Sequence, residues 1–291
     1  MSIQVPSSTS LLNKELIGNM SFEKKSSKSI EGNLDINSEI GVILPTYCEA
    51  QNIERLIDEI ENLNLNTSIL VIDDSSPDGT SDIVRKCQRK HDNILLFERP
   101  KKFGLGTAIT DGFRVFLSVK NPPKYIITID ADYSHNPKDI PRLISTAKTE
   151  CGLVVGNRYC KGGGAVNWSL FRLALSRTAN LIASMVIGAN LHDYTSGLRC
   201  YSINLVKRTI SDLHSQTYEI QIETIRQAHI RNFKIKEIPI IFVNRKKGKS
   251  KLTFAEIRSF IFYIIKTALR TKEGSFFFGR KGSKSSISVN I

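Results

Sequence analysis

The chain has 291 residues, 41% of them hydrophobic and 24% charged, with a formal net charge of +13. This is the composition of an ordinary globular protein, long enough for one large α/β domain or two small ones. Cysteines at 48, 87, 151, 160 and 200 are odd in number and lack CxxC spacing, which argues against a disulfide framework or a zinc site and for a reducing compartment. Residues 245–291 hold twelve Lys or Arg against two acids, so +10 of the charge belongs to one terminal region. No aromatic residues interleave its basic run, and a nucleic-acid partner is not expected. No apolar h-region opens the chain and no eighteen-residue apolar run follows, so neither a signal peptide nor a transmembrane helix is expected.

Residues 1–38 are rich in Ser, Lys and Asn without periodicity and read as a disordered extension. Order is expected from Ile40, where Ile40–Leu44 forms a buried strand that Pro45 ends. Ile53, Leu56, Ile57, Ile60 and Leu63 recur at helical spacing. Ser68–Ile72 is the next strand, Ser75–Gly79 a turn and Thr80–Lys90 a helix. Asn93–Phe97 and Tyr125–Ile129 are strands around a helix from Leu105 to Val119. Pro137–Lys148 is a helix and Leu153–Gly156 a fifth strand. This alternation predicts an α/β fold, a mostly parallel sheet flanked by helices.

Lys161–Gly164 reads as a mobile loop. Trp168–Ile187 is an amphipathic helix whose polar row is Arg172, Ser176, Asn180 and Ser184. Thr217–Arg231 is helical, and Lys234–Val243 is a strand placed at an edge by Pro239. Residues 39–251 thus form the folded domain, 252–272 an amphipathic helix and 273–291 a basic disordered tail. The helix over 254–270 has either an interfacial role at a membrane surface or a packing role on the sheet. Lys246, Lys247 and Lys249 suit anionic headgroups.

Acids follow two apolar strands: Asp73-Asp74 after the first, Asp130-Ala131-Asp132 after the second. Ligands of open α/β sheets bind beyond such strand ends. Clustered carboxylates there call for a cation, most simply Mg2+ or Mn2+ holding a diphosphate. Asp73 either caps a helix or accepts from a base N–H. Tyr47 and Glu49 suit a planar ring and its ribose, or else core packing and a helix N-terminus. Asp193 serves acceptor-side positioning or caps a turn, and His135 reads first as a structural hydrogen-bonder.

Pro45-Thr-Tyr-x-Glu49, Val71-Ile-Asp-Asp-x-Ser-Pro-Asp-Gly-Thr80, Gly104-Leu-Gly-Thr-Ala108, Asp130-Ala-Asp132, Gly156-Asn-Arg-Tyr159 and Ser250-Lys-Leu252 occur in order. Over about residues 39–270 the chain resembles the family 2 glycosyltransferases, and among them the dolichyl-phosphate mannosyltransferase catalytic subunits.

The resemblance implies a GT-A fold and inverting transfer of mannose from GDP-mannose to dolichyl phosphate, supplying N-glycan, GPI-anchor and O- and C-mannosylation pathways. It implies that Pro45, Tyr47, Glu49, Val71 and Asp73 line the guanosine site. Asp130, Ala131 and Asp132 would hold metal and diphosphate, with Ser134 where some relatives use Gln as a metal ligand. Arg158 would lie near sugar and phosphates, and Arg245 and Lys251 would close over the diphosphate. Asp132 and Arg158 carry the catalytic expectation. Small membrane-embedded subunits and the cytosolic face of the endoplasmic reticulum are the implied partners and place. The same chemistry with another nucleotide sugar, such as UDP-glucose, is the alternative.

Overall fold

A computed structural model describes residues 30–33, 37–244 and 258–269. The expectations for Arg245, Lys251, Lys246, Lys247 and Lys249 and for the tail 273–291 lie outside the described residues. Strands β1 (Ile40–Thr46), β2 (Thr67–Asp73), β3 (Ile94–Glu98), β4 (Tyr125–Thr128) and β5 (Leu153–Asn157) fall where the apolar runs predict. Helices α1 (Ile53–Glu61), α2 (Thr80–Gln88) and α3 (Leu105–Ser118) connect them, as does α4 (Ile140–Ala147), which follows a 3-10 turn at Pro137–Asp139. Beyond lie β6 (Gly164–Val166), α5 (Leu170–Ile187), β7 (Arg199–Ser202), α6 (Ile203–Thr209), α7 (Ile220–Ile230), β8 (Ile235–Pro239) and β9 (Ile241–Val243). Residues 258–269 form a last helix.

The main sheet runs β3-β2-β1-β4-β7-β5-β8 among the described residues. β7 is antiparallel to both β4 and β5, and the other pairings are parallel. The period-two alternation of strands builds a core on each face. Ile43, Leu70 and Ile72 meet Phe113 and Phe116 of α3 and Ile222 and Ile225 of α7. Val42, Leu44, Ile69 and Val71 meet Ile53, Leu56, Ile57 and Ile60 of α1 and Leu143 and Ile144 of α4. Truncating one such buried Leu or Ile costs about 2–5 kcal/mol, so the strand ends are held on a stiff platform.

Several expectations are corrected. Residues 30–33 belong to the fold, because Glu31 bridges Leu96 on the edge strand β3 and its carboxylate grips Arg85 at 2.9 and 2.8 Å. β1 passes through Pro45 to Thr46, since its pairing with β4 has already stopped at Ile43 and the missing proline N–H falls on that side. Gly164 does not end a loop but starts β6, which pairs with β9 in a separate two-stranded sheet. The 234–243 segment is split at Ile240, with β8 at the sheet edge as expected.

α5 shows the expected amphipathic division. Its polar row faces the protein: the Tyr159 hydroxyl donates to Ser176 Oγ at 2.7 Å, and Asn180 accepts from the Tyr194 N–H. Its apolar side faces outward, with Leu170 at 84%, Phe171 at 78% and Met185 at 73% exposure. By length and composition alone α5 could cross a membrane, contrary to expectation.

Candidate active site

The C-terminal ends of β1, β2, β4 and β5 open on one rim, and β7, running the other way, delivers residues 193–198 to it. Thr46 lies level with Asp73, so the β1 and β2 exits adjoin. Asp130 and Asp132 leave β4, two strand spacings (roughly 10 Å) from β2. Asp73 and Asp132 therefore share one edge of the sheet.

The four acids are not equivalent. Asp73 is wholly buried, and its carboxylate accepts from Thr46 Oγ1 (2.8 Å), Ser76 Oγ (2.6 Å), Ser76 N (2.8 Å) and Ser81 Oγ (3.0 Å). A carboxylate offers about four acceptor positions, so a base N–H could reach Asp73 only by replacing one of these donors. Asp74 takes Arg99 Nε at 2.6 Å and the N–H groups of Phe103 and Gly104 at 3.2 Å each. Burial pushes its carboxyl pKa up against the pull of Arg99. Asp74 thus ties the β2 exit to the Gly104-Leu-Gly-Thr motif, and neither acid needs a cation to offset its charge.

Asp130 and Asp132 are different. The Asp130 side chain is 31% exposed. Asp132 Oδ1 accepts the Ser134 N–H at 3.0 Å across Tyr133, which takes a left-handed φ of 63° under the Arg55 guanidinium. Ser134 Oγ is buried without a hydrogen-bond partner. Among the described residues no group of three or more His, Cys, Asp or Glu closes a metal centre. Two carboxylates beside an orphaned hydroxyl oxygen fit a hard divalent cation, Mg2+ or Mn2+, that completes its shell from a bound diphosphate and water. A cavity of about 570 Å³ opens beside Asp132, with Arg55, Lys138, Ser134 and Asn244 on its walls.

The expected guanosine residues divide. Tyr47 and Glu49 sit at the β1 exit, with the Lys102 ammonium 4.5 Å over the Tyr47 ring and the Asn52 amide donating to Glu49 at 2.9 Å. Pro45 is half-buried at the same exit. Val71 is wholly buried in the α1-side core, and Ala131 packs into the same cluster. The Val71 side chain forms no wall of an open site.

Arg158, after β5, is buried beside Asp193. Its Nε and Nη2 each donate to the Asp193 carboxylate at 2.7 Å, and Nη2 also reaches Thr195 Oγ1. Burial works against both charges, yet their attraction lowers the Asp193 pKa and raises that of Arg158. The forked edge of Arg158 is therefore occupied, leaving Nη1 for an anion. The rings of Tyr159, Trp168 and Phe242 surround the guanidinium at 5.3, 5.2 and 5.6 Å. Arg172, on the inward row of α5, stacks 4.3 Å over Trp168 and donates to Asn244 Oδ1 at 2.9 Å. Arg172 opens the polar row expected of α5, and the structure adds what the sequence does not give, that this row turns to the rim and meets Trp168.

The model of the family described as Glycosyl transferase family 2 matches residues 41–219. The chain is 32% identical over 231 residues to a polyprenol monophosphomannose synthase of Mycolicibacterium smegmatis, covering 79% of this chain and 86% of that one. It is 33% identical over 213 residues to an undecaprenyl-phosphate mannosyltransferase of Micrococcus luteus, covering 72% and 86%. In structure it is similar to glucosyl-3-phosphoglycerate synthase from Mycobacterium tuberculosis in complex with Mn2+, UDP and phosphoglyceric acid, with a TM-score of 0.58, 18% identity and coverage of 81% and 79%. A mannosyltransferase from Pyrobaculum calidifontis, in complex with GDP-Man and Mn2+, matches with a TM-score of 0.50, 17% identity and coverage of 82% and 64%. The sheet and its flanking helices are those of a GT-A glycosyltransferase, and the chain belongs to glycosyl transferase family 2.

Proposed function

We propose that the chain transfers mannose from GDP-mannose to a polyprenyl phosphate, dolichyl phosphate in particular, with inversion at the anomeric carbon. One observation carries this reading: on a single rim, Asp130 and Asp132 lie near an arginine–aromatic cluster of Arg158, Trp168 and Arg172, linked through His135 and Phe242. The two relatives named for mannosyl transfer to polyprenyl phosphates support the sugar and the acceptor class.

Asp130 and Asp132, with Ser134 beside them, would hold Mg2+ or Mn2+, which when bound stabilises the departing diphosphate as a Lewis acid. Tyr47 and Glu49 orient the nucleoside at the β1 exit. An oxygen of the lipid phosphate attacks the anomeric carbon as the bond to the diphosphate breaks on the opposite side. A phosphate monoester has a second pKa near ~6, so this oxygen is already ionised at neutral pH and needs no general base. The task left to the protein is to bring two anions together. Arg158, immobilised by Asp193, and Arg172 across the Trp168 ring supply fixed positive charge between them.

The outward side of α5 and exposed Ile261, Phe262, Ile265 and Leu269 on the last helix offer apolar surface to the lipid tail and the bilayer. With dolichyl phosphate as acceptor, the working place is the cytosolic face of the endoplasmic reticulum membrane, where small membrane-embedded subunits would hold the enzyme.

Purified protein is incubated with radiolabelled GDP-mannose, dolichyl phosphate and Mn2+ or Mg2+. The expected product is a mannolipid that disappears with EDTA and with Asp132→Asn. Full activity of that variant, or transfer from UDP-glucose in preference to GDP-mannose, overturns the reading.

A further inference from the structure

We infer that His135 and Gly197 form the seat that holds Asp130 toward its cation, making His135 a positioning residue for the metal. The inference rests on Asp130 being a ligand, as proposed above. His135 is 1% exposed, and neither ring nitrogen has a hydrogen-bond partner. Its Nε2 lies 3.3 Å from Asp130 Oδ2, close but not aligned. The ring stands edge-on to Phe242 at 5.1 Å, and Phe242 edge-on to Trp168 at 5.3 Å, so aromatic packing holds the imidazole beside Asp130.

Gly197 bounds the carboxylate from the other strand. A Cβ there would fall 2.7 Å from Asp130 Oδ2 and 2.9 Å from Oδ1. The Gly197 carbonyl is fixed by the Thr128 hydroxyl at 2.9 Å, two residues before Asp130. The carboxylate is therefore confined between a buried imidazole and a bare backbone.

Leaving a buried ring nitrogen without a hydrogen-bond partner is unfavourable. That cost is relieved when the Nε2–H meets one oxygen of Asp130 while the other turns to a cation. Carboxylates that bind metals are commonly oriented by such outer hydrogen bonds, and losing one costs about 10–100-fold in metal affinity. His135 does this from behind the carboxylate, as a positioning group.

Mn2+ is titrated into the full chain with GDP present, and free Mn2+ is read by electron paramagnetic resonance. Wild type is compared with His135→Phe, His135→Gln, Gly197→Ala and Asp130→Asn, with a thermal melt of each. His135→Phe should weaken Mn2+ binding about 10–100-fold while folding normally, and His135→Gln should recover part of the loss. Gly197→Ala should weaken it as well. Wild-type Mn2+ affinity in His135→Phe overturns the inference. If His135→Phe does not fold, wild-type Mn2+ affinity in Gly197→Ala overturns it instead. Asp130→Asn separates the two claims: if it too binds Mn2+ normally, the ligand assignment of Asp130 has failed.

Discussion

Asp193→Asn tests the anchoring of Arg158. Asp193 is wholly buried and accepts Arg158 Nε and Nη2 at 2.7 Å, the Arg158 N–H at 3.1 Å, and the N–H groups of Thr195 and Ser196 at 3.2 and 3.1 Å. An Asn can accept through one oxygen only, and its amide would turn donors toward a guanidinium. Breaking a buried pair leaves an uncompensated charge and costs about 3–5 kcal/mol. At roughly 2–4 °C per kcal/mol for a domain of this size, the melting temperature should fall by about 6–20 °C. Burial raises the Asp193 pKa, but the Arg158 charge and the hydrogen bonds outweigh it and hold the carboxyl below its ordinary value. A lowered folded-state pKa gives stability that is full above about pH 4 and lost as pH falls through the folded value. The gap between wild type and variant, read by guanidinium unfolding, should therefore be widest near neutrality and close in acid. A neutral-pH loss below about 1 kcal/mol, the scale of an exposed pair, would refute the reasoning.

Three other outcomes follow from the packing. Gly106→Ala should destabilise by about 1–3 kcal/mol in urea unfolding, although Ala suits helices better, because its Cβ would sit 2.3 Å from the Ser215 carbonyl oxygen. Asp73→Asn should cost about 1–3 kcal/mol in the same assay by unpairing donors in a buried turn. Phe171→Ser with Met185→Ser should cut flotation with phosphatidylcholine–phosphatidylserine vesicles about tenfold or more, since each side chain buries roughly 1.5–3 kcal/mol of apolar surface. The melting temperature should not move, because both side chains lie on the outer side of α5.

The first half of the chain was legible because its signals are local. Short apolar, β-branched runs such as Ser68–Ile72 and Tyr125–Ile129 read as buried strands, and Asp-Asp or Asp-x-Asp follows where they end. Two features escaped, each for a physical reason. β7 is four residues long, and its pattern resembles a turn until β4 and β5 are seen to flank it. α5 shows the expected periodicity, and the structure adds which side faces in. Asn180 and Ser176 turn inward because Tyr194 and Tyr159 bring donors to meet them. The rim acids were read as one cluster, whereas Asp73 and Asp74 are satisfied by Ser76, Ser81 and Arg99, partners that sequence spacing cannot assign.

The reversed strand β7 has a kinetic consequence. β1, β2 and β3 are joined by short crossovers, whereas β7 must find β4 across a wide stretch of chain, pairing Thr128 with Arg199. Contacts of such sequence separation close late, after the loop entropy of the intervening residues has been overcome. The part of the rim built by β1, β2 and β3 can thus assemble before the part bearing Asp193. Variants in residues 188–198 should populate a refolding species in which the amides of β1, β2 and β3 are protected from hydrogen exchange while those of β7 are not.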